Sequence, residues 1–256
     1  SFNSILESYE ILISEKENYD YFHGWGGISP SGKQKGIMSL GRISDKGFKI
    51  DINPKLCDIT PFHNVKKINL FGTSIMYWIN LIYFLSNKYF YKKTKTLYDF
   101  LFPSAKNFFY FSMFGDKGVI EHQVIIPHSN VSSYLGELEG IIHKNSPRIS
   151  LCHMKLFSGK THYLNFDGNG FCLALHLYNN NISHITLKEI DAIDIKYNCI
   201  VNLVKDSRIS AELISKQYLD YKKYIDSVKK YDPKLRFSNL ITEKIFNYAS
   251  RSDNCK

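Results

Sequence analysis

The second half of the chain alternates between strand-like and helix-like patterns of apolar residues. Alternation over Val119–Ile126 predicts a strand that stops at Pro127, and helical spacing predicts a helix over Ser129–His143. The same criteria predict, in order, a strand over 148–157, a strand over 171–178, a helix over 186–197 and a strand over 200–204. This order is the ferredoxin-like split strand–helix–strand pattern. It predicts an α+β fold with an antiparallel sheet and helices packed on one face.

The two ends of the chain add a hairpin and further helices. Near-helical spacing predicts a helix over Phe2–Ile13, while Tyr19–Trp25 and Gly36–Ile43 predict two strands joined by a turn. Helical patterns return over 210–231 and over 240–248.

The segment 68–87 contains no charged residue and is long enough to span a bilayer. Small and polar residues at 72–74 make it less apolar than a typical span, and Lys67 and Lys88 flank it. These features favour a buried helix, or one that docks on a membrane surface, over a true span.

Composition narrows the class of protein. With 44% apolar and 22% charged residues the chain is globular rather than disordered. The net charge of +9 comes from scattered lysines without a polybasic arm or an RNA-recognition signature, so we expect no nucleic-acid partner. Five cysteines without a C-x-x-C pair, and histidines without ligand spacing, predict no metal site and suggest reduced thiols in a cytoplasmic protein.

The nucleotide-binding and hydrolase motifs are missing. Ser158–Thr161 is similar to part of a phosphate-binding loop, but Met154 occupies the position where that loop requires a glycine. The sequence has neither a dinucleotide-binding fingerprint nor a G-x-S-x-G nucleophile turn. A self-contained dehydrogenase or hydrolase is therefore not predicted.

The segment Val204–Arg208 places charged residues between an apolar run and the next predicted helix. Such a junction is a rigid place to mount a functional group. Lys205 could direct an ammonium group into a pocket. Asp206 or Ser207 could cap the helix, and Arg208 could pair with Asp206. The alternative is an ordinary charged surface turn, and the residues alone leave both interpretations open.

An ordered set of segments resembles the C-terminal substrate domain of the vanillyl-alcohol-oxidase-like flavoproteins. The closest likeness within that family is to the decaprenylphosphoryl-ribose oxidases, the flavin subunits of a sugar 2′-epimerase; aldonolactone and alditol oxidases are more distant. Lys205–Arg208 and the tail Asp232–Leu240 are the most specific matches. The weaker matches occur in the same order along the chain: Trp25, Gly41-Arg42, Met113–Gly115, Gln123–Pro127, Lys155–Phe157, Cys172 and Ala211-Glu212.

The resemblance implies an FAD-dependent oxidoreductase that oxidises a sugar alcohol carbon by hydride transfer to the flavin, with a polyprenyl-phosphate-linked pentose as the expected substrate. Lys205 would be the catalytic residue beside the flavin ring, where a cation stabilises developing negative charge. Cys172 and Gln123 would also lie next to the flavin. The residues expected to line the substrate pocket are Trp25, Gln123, Lys155 and Phe157.

The resemblance also implies how the chain is organised and what it meets. Residues 1–256 would form the substrate-binding cap domain, and the tail 232–256 would return toward an FAD-binding domain that precedes this chain. We therefore expect the chain alone to hold FAD weakly. A short-chain reductase would be its partner in epimerisation. The expected location is the cytoplasm, at the periphery of the inner membrane, which segment 68–87 would contact.

Three positions depart from the family pattern. Leu101 stands in place of a pocket tyrosine, Glu121 in place of a glutamine and Gly170 in place of an asparagine. These changes affect the pocket and leave the flavin-side residues in place. Two other hypotheses stay open: a domain of an aldonolactone or alditol oxidase, and a non-catalytic module that binds a membrane or a partner through segment 68–87.

Overall fold

The structure is a computed structural model that describes residues 1–28, 34–44, 68–69, 73–89, 94–101, 110, 112–160, 162–205 and 208–253. The helices are α1 (Ile5–Glu15), α2 (Thr73–Tyr89), α3 (Leu97–Leu101), α4 (Val131–Asn145), α5 (Asn181–Lys196), α6 (Ala211–Gln217), α7 (Tyr221–Tyr231) and α8 (Leu240–Asp253). The strands are β1 (Tyr21–Ile28), β2 (Gln34–Gly41), β3 (Val119–Pro127), β4 (Ile149–Ser158), β5 (Asn169–Tyr178) and β6 (Ile200–Val201).

Side-chain caps set the starts of several helices. Ser4 Oγ accepts a hydrogen bond from the backbone N–H of Glu7 at 3.0 Å, which fixes the start of α1. Asn180 accepts one from the N–H of Ser183 at 2.8 Å, so α5 begins earlier than the apolar spacing predicted. Each cap satisfies a backbone donor that has no partner within the helix.

The six strands form one antiparallel sheet in the order β2-β1-β4-β5-β3-β6. An α+β fold with an antiparallel sheet is therefore confirmed. β3 lies between β5 and β6, so it pairs with a strand about fifty residues later and again with one after α5. The N-terminal hairpin joins through β1, where Trp25 lies opposite His153.

Strand alternation gives the sheet two faces of different composition. One face, called the helix face here, carries Phe171, Leu173 and the apolar residues in phase with them. It is buried under α1, α4 and α5, and Tyr9 of α1 meets the Phe171 ring edge-on at 5.3 Å. Each fully buried leucine on this face contributes about 2 kcal/mol of hydrophobic stabilisation. This face holds the main core of the protein.

The opposite face carries Trp25 and is called the site face. α2 lies against it over β1 and β2, and the Tyr83 ring stacks on Trp25 with centroids 4.3 Å apart. A side chain at Gly27 would place Cβ 2.7 Å from Nδ2 of Asn80, so glycine permits this close approach. The expectation that the helices pack on one face therefore holds for α1, α4 and α5 but is wrong for α2. Within the described residues, none of the helices has both the length and the apolar character needed to cross a bilayer.

β6 is shorter than predicted, because Asn202 ends it after Val201. The Asn202 side-chain oxygen accepts from the N–H of Val204 at 3.0 Å, which turns the backbone away from β3. Its amide Nδ2 also donates to Oε1 of Gln123 at 2.7 Å. The predicted strand over 200–204 is therefore wrong in its second half, and Lys205 lies in a turn rather than at a strand end.

The predicted helix over 210–231 is two helices, because Tyr218 leaves the helical conformation. Its backbone is extended, its side chain is fully buried, and its hydroxyl donates to the carbonyl of Val201 at 2.8 Å. The last helix packs on the same unit: Ile245 is buried, and the Tyr221 hydroxyl donates to its carbonyl at 3.3 Å. Whether 232–256 also meets another domain stays a prediction.

Candidate functional site

The site face carries polar side chains in consecutive rows across the sheet. Residues opposite each other on neighbouring strands share a face and lie in contact distance, so the pairing register defines the rows. From β3 toward β1 the rows are Glu121–His176–Leu151, Gln123–Ala174–His153–Trp25, Ile125–Cys172–Lys155 and Pro127–Gly170–Phe157. Such a concentration of polar groups on a packed sheet face points to a site rather than to a core.

Every predicted site residue that lies in a strand is on this face: Trp25, Gln123, Lys155, Phe157 and Cys172. The structure brings three of them together. Nε2 of Gln123 lies 3.5 Å from Sγ of Cys172, and Cys172 is directly opposite Lys155. Phe157 lies one row away, and its ring meets the edge of Phe166 at 5.6 Å.

Trp25 is separated from that group. His153 lies between it and the β5 residues of the same row, and the two rings meet edge-on at 5.1 Å. With Tyr83 stacked on its other side, Trp25 marks the boundary between the part of the site face that α2 covers and the rest. Its indole Nε1 is buried and has no hydrogen-bond acceptor among the residues that the structure describes.

Lys205 reaches the site face through Glu121. Its Nζ donates to Oε2 of Glu121 at 2.9 Å. Burial acts to raise the pKa of Glu121, but the nearby His176 and then Lys205 outweigh it and lower the pKa to about 2. The ion pair therefore exists at neutral pH. Asp206 and Ser207, the proposed capping residues, lie outside the described residues.

Arg208 does not contribute to this face. Its guanidinium forms a two-pronged pair with the carboxylate of Asp191 in α5, with N···O distances of 3.0 and 3.2 Å. The expected pairing with Asp206 falls on a residue outside the described part of the chain. Arg208 therefore anchors the turn after β6 to the helix layer, which leaves Lys205 as the cation of this segment at the site face.

Three histidines that the sequence analysis left unassigned form a line across the site face. Nε2 of His23 lies 3.1 Å from Nδ1 of His153, and the rings of His153 and His176 are 5.3 Å apart. Burial, followed by the positive charges of Lys155 and Lys95, lowers the pKa of His23 to about 4. Burial also holds the pKa of His153 well below its usual value. These two imidazoles are therefore neutral at pH 7 and can each donate and accept one hydrogen bond.

Tyr110 contacts the histidine line at His176. Its hydroxyl lies 3.0 Å from Nδ1 of His176 and 2.7 Å from Oγ of Ser150. Burial raises the pKa of Tyr110 far above its usual value, so the hydroxyl stays protonated. The histidine line is thus part of a hydrogen-bonded network beneath α2 and residue 110.

The remaining part of the face is partly exposed and is called the open part. It consists of Glu121, Gln123, Lys155, Phe157 and Lys205. Cys172 lies beneath it, 1% exposed, and burial raises the pKa of its thiol to about 12. The thiol is therefore a neutral, packed group and not a nucleophile.

The signal that could have found the histidines is their phase. His23 precedes Trp25 by two residues, and His153 precedes Lys155 by two. Residues two apart in a strand share a face, so these histidines had to lie beside the predicted pocket residues. The contact between His176 and Tyr110 was beyond such reasoning, because the two residues lie 66 positions apart and Tyr110 is not in a strand of the sheet.

The three departures from the family pattern have different structural settings. Glu121 is the partner of Lys205. A side chain at Gly170 would place Cβ 2.2 Å from the backbone oxygen of Ile126, so this backbone has no room for the family's asparagine. Leu101 ends α3, whose Phe100 packs toward the β1–β2 hairpin.

A second polar cluster lies on the helix face. His122, Asp191 and Asp194 are, among the described residues, a group whose ligand atoms are close enough to hold a metal ion. Protein groups already balance the two carboxylates: Arg208 pairs with Asp191, and Tyr134 donates to Asp194 at 2.8 Å, with Nε2 of His122 3.0 Å from the same carboxylate. We interpret the cluster as a structural tie between β3, α4 and α5.

Comparison of the chain with models of protein families gave no match, and comparison with curated proteins gave none either. Family membership therefore stays a prediction from the motifs. The function has to be inferred from the geometry of the site face.

Proposed function

We propose that this chain is the substrate-binding domain of an FAD-dependent oxidoreductase that oxidises a sugar alcohol carbon. The main observation in support is that the strand residues assigned to flavin and substrate come from four strands and all lie on one face of the sheet. Alternate residues of a strand point to opposite faces, so the assigned residues of four strands would share one face by chance about one time in eight. Lys205, from a fifth segment, joins the same face through Glu121.

The order of elements supports the expected domain class. The run β3–α4–β4–β5–α5–β6 is the strand–helix–strand–strand–helix–strand succession of a ferredoxin-like unit. Both of its helices lie on the helix face, so among the described residues the open part of the other face is available to a second domain. The β1–β2 hairpin and α2 extend this unit on the β4 side.

The open part suits a flavin and a hydroxylated substrate in its chemistry. Lys155 and Lys205 supply two cations at the partly exposed end of the site face. The amide of Gln123 is held in one orientation, because its oxygen accepts from Asn202. Its NH2 group therefore points toward Cys172 and the open part, where it can donate to an oxygen of the cofactor or substrate.

When bound, FAD would supply the acceptor for the hydride of the carbon that is oxidised, and the hydroxyl proton would leave to solvent at the partly exposed open part. Lys205 supplies positive charge that stabilises negative charge developing at this edge of the face. Glu121 is too weak a base to take the hydroxyl proton at neutral pH, because its pKa of about 2 lies far from the operating pH. Its role is to hold Lys205 in place. The expected substrate is a polyprenyl-phosphate-linked pentose, with a short-chain reductase completing an epimerisation.

The test uses the full natural protein that contains this chain. It should purify with a flavin absorption spectrum, and that spectrum should bleach without oxygen when the lipid-linked pentose is added. An alditol and an aldonolactone, added separately, distinguish the related oxidases. A protein that carries no flavin, or a flavin that none of the three substrates reduces, would overturn the proposal.

A further inference from the structure

Glu121 lies between two basic groups that come from different parts of the fold. Oε2 of its carboxylate is 2.9 Å from Nζ of Lys205, whose side chain is 46% exposed. The same oxygen is 3.7 Å from Nε2 of His176, whose side chain is 9% exposed. The side chain of Glu121 is itself 22% exposed. A carboxylate that has lost most of its hydration depends on such partners to stay charged.

The ring of His176 is held in one orientation by buried residues on its other side. Its Nδ1 lies 3.0 Å from the hydroxyl of Tyr110, and that hydroxyl lies 2.7 Å from Oγ of Ser150. Ser150 is fully buried on β4. Because Nδ1 is engaged with Tyr110, Nε2 is the nitrogen that faces Glu121. Carboxylate oxygens only accept hydrogen bonds, so a hydrogen on Nε2 is the arrangement that suits this contact.

His176 has the larger influence of the two basic groups on Glu121. Burial acts to raise the pKa of the carboxyl group, and the groups that lower it to about 2 are His176 first and Lys205 second. The order has a physical reason. Lys205 is half-exposed, so water screens its charge, whereas His176 is buried directly opposite Glu121 on the neighbouring strand.

We propose that His176 is a positioning residue for Lys205. Its Nε2–H holds the carboxylate of Glu121, and that carboxylate holds the Lys205 ammonium at the edge of the open part. The inference rests on the proposed function only where it gives Lys205 a role in the reaction. The contacts that run from Tyr110 to Lys205 are a property of the chain itself.

This role also accounts for the charge at position 121. The family that the sequence resembles has a glutamine there, which is uncharged and needs no basic partner. Glu121 is charged, and Lys205 has to turn toward the negative charge that it stabilises. When Lys205 does so, His176 keeps the partly buried carboxylate paired, which avoids the large cost of an uncompensated charge.

The first measurement is the nitrogen-15 NMR spectrum of the imidazole rings in the 256-residue chain at pH 7.5. The signals of His176 are identified by their loss in His176→Gln. We expect Nε2 of His176 to carry a hydrogen, because it faces a carboxylate. A bare Nε2, with the hydrogen on Nδ1 alone, would overturn the proposal.

The second measurement compares two amide substitutions by urea unfolding at pH 7.5. The side chain of His176→Gln is long enough to place its amide at the position of Nε2, whereas the shorter His176→Asn reaches only the position of Nδ1. His176→Asn should therefore be the less stable variant, because Glu121 loses this partner. With Glu121→Gln added to both, the difference should largely disappear, because the charge is gone.

Two outcomes of the unfolding experiment contradict the proposal. One is equal stability of His176→Gln and His176→Asn. The other is a difference between them that Glu121→Gln leaves unchanged. Either result would mean that the ring only fills space beside Tyr110.

The third measurement is the rate of flavin reduction in the full natural protein. His176→Asn should lower the rate roughly tenfold, because Lys205 is no longer held in place, while His176→Gln should keep most of it. In the Glu121→Gln background, His176→Asn should have little further effect, since it acts only through Glu121. An equal loss of rate in both backgrounds would contradict the proposal. A protein without flavin would overturn the proposed function, and the first two measurements would still decide whether His176 holds Glu121.

Discussion

The two faces of the sheet are built from alternate residues of the same strands, yet they differ in nearly every physical respect. Leu173 and Cys172 are neighbours in β5 and each is 1% exposed, but they point to opposite sides. The helix face is apolar, and the polar groups of its His122–Asp194 cluster are paired with other groups of the protein. The site face carries a line of histidines that leads to Glu121 and Lys205 at the partly exposed end. The comparison teaches that equal burial does not mean equal purpose.

The largest difference should appear when neighbouring residues of β5 are truncated. Leu173→Ala leaves a cavity in the main core and should lower the free energy of unfolding by about 2–5 kcal/mol. Cys172→Ala removes a single sulfur atom from the site face and should cost about 1 kcal/mol or less. Urea unfolding of both variants checks this. Equal losses would mean that the site face is simply a second core.

The histidine line should make the protein sensitive to acid. The folded pKa of His23 is about 4 against 6.5 for the free group, and that of His153 is also lowered. As the pH falls below about 6.5 the unfolded state binds protons first. Stability is therefore unaffected above that pH and is lost between about 6.5 and 4 at roughly 1.4 kcal/mol per pH unit through His23, and His153 adds a loss in the same direction.

Thermal unfolding at pH 7.5 and pH 5 measures this loss. His23→Gln should reduce it, while the exposed control His143→Gln should leave it unchanged. A protein that is equally stable at both pH values would contradict the buried, neutral state of the line.

The His122–Asp194 cluster of the helix face should contribute to the free energy of unfolding and not to function. Tyr134→Phe removes the hydrogen bond to the buried carboxylate of Asp194 and should cost about 2 kcal/mol of unfolding free energy. Tyr231→Phe, at a residue 79% exposed, is the matched control and should cost almost nothing. If Tyr134→Phe were neutral, the cluster would not be the structural tie we infer.

The smallest effect on stability is expected at the open end of the site face. Glu121→Gln breaks the pair with Lys205, whose side chain is 46% exposed, and such pairs contribute about 1 kcal/mol or less. Chemical denaturation should detect little change. A loss comparable with that of Leu173→Ala would instead make the pair a structural element.

The periodicity of apolar residues in the sequence was enough to predict most strands of the sheet. The alternation in β3, β4 and β5 predicted these strands to within two residues and already placed Lys155 and Phe157 on one side. The shorter β6 could not be predicted from its apolar run, because the side chain of Asn202 ends the strand by turning back on the chain and by bonding Gln123.

Long-range partners account for what the sequence left open in the site. Nothing in Val204–Arg208 reveals that Lys205 pairs with Glu121 or that Arg208 pairs with Asp191, because the two partners lie 84 and 17 residues away on other elements. The packing of α2 on the sheet also could not be predicted from its own sequence, because it depends on contacts with distant residues such as Trp25. The uncharged sequence of α2 predicted a buried or membrane-docking helix, and the structure shows one side packed on the sheet through Tyr83 while Ile82 and Tyr89 are exposed.

The most direct test of the site face as the functional face is the rate of flavin reduction in the full natural protein, measured for Lys205→Met and Lys188→Met. Both substitutions remove an exposed lysine, but Lys188 lies on α5 in the helix layer. We predict a loss of about 10²–10³-fold for Lys205→Met, as for other groups that stabilise developing charge, and an unchanged rate for Lys188→Met. Equal rates in the two variants would contradict the assignment of Lys205 and of the face that it borders.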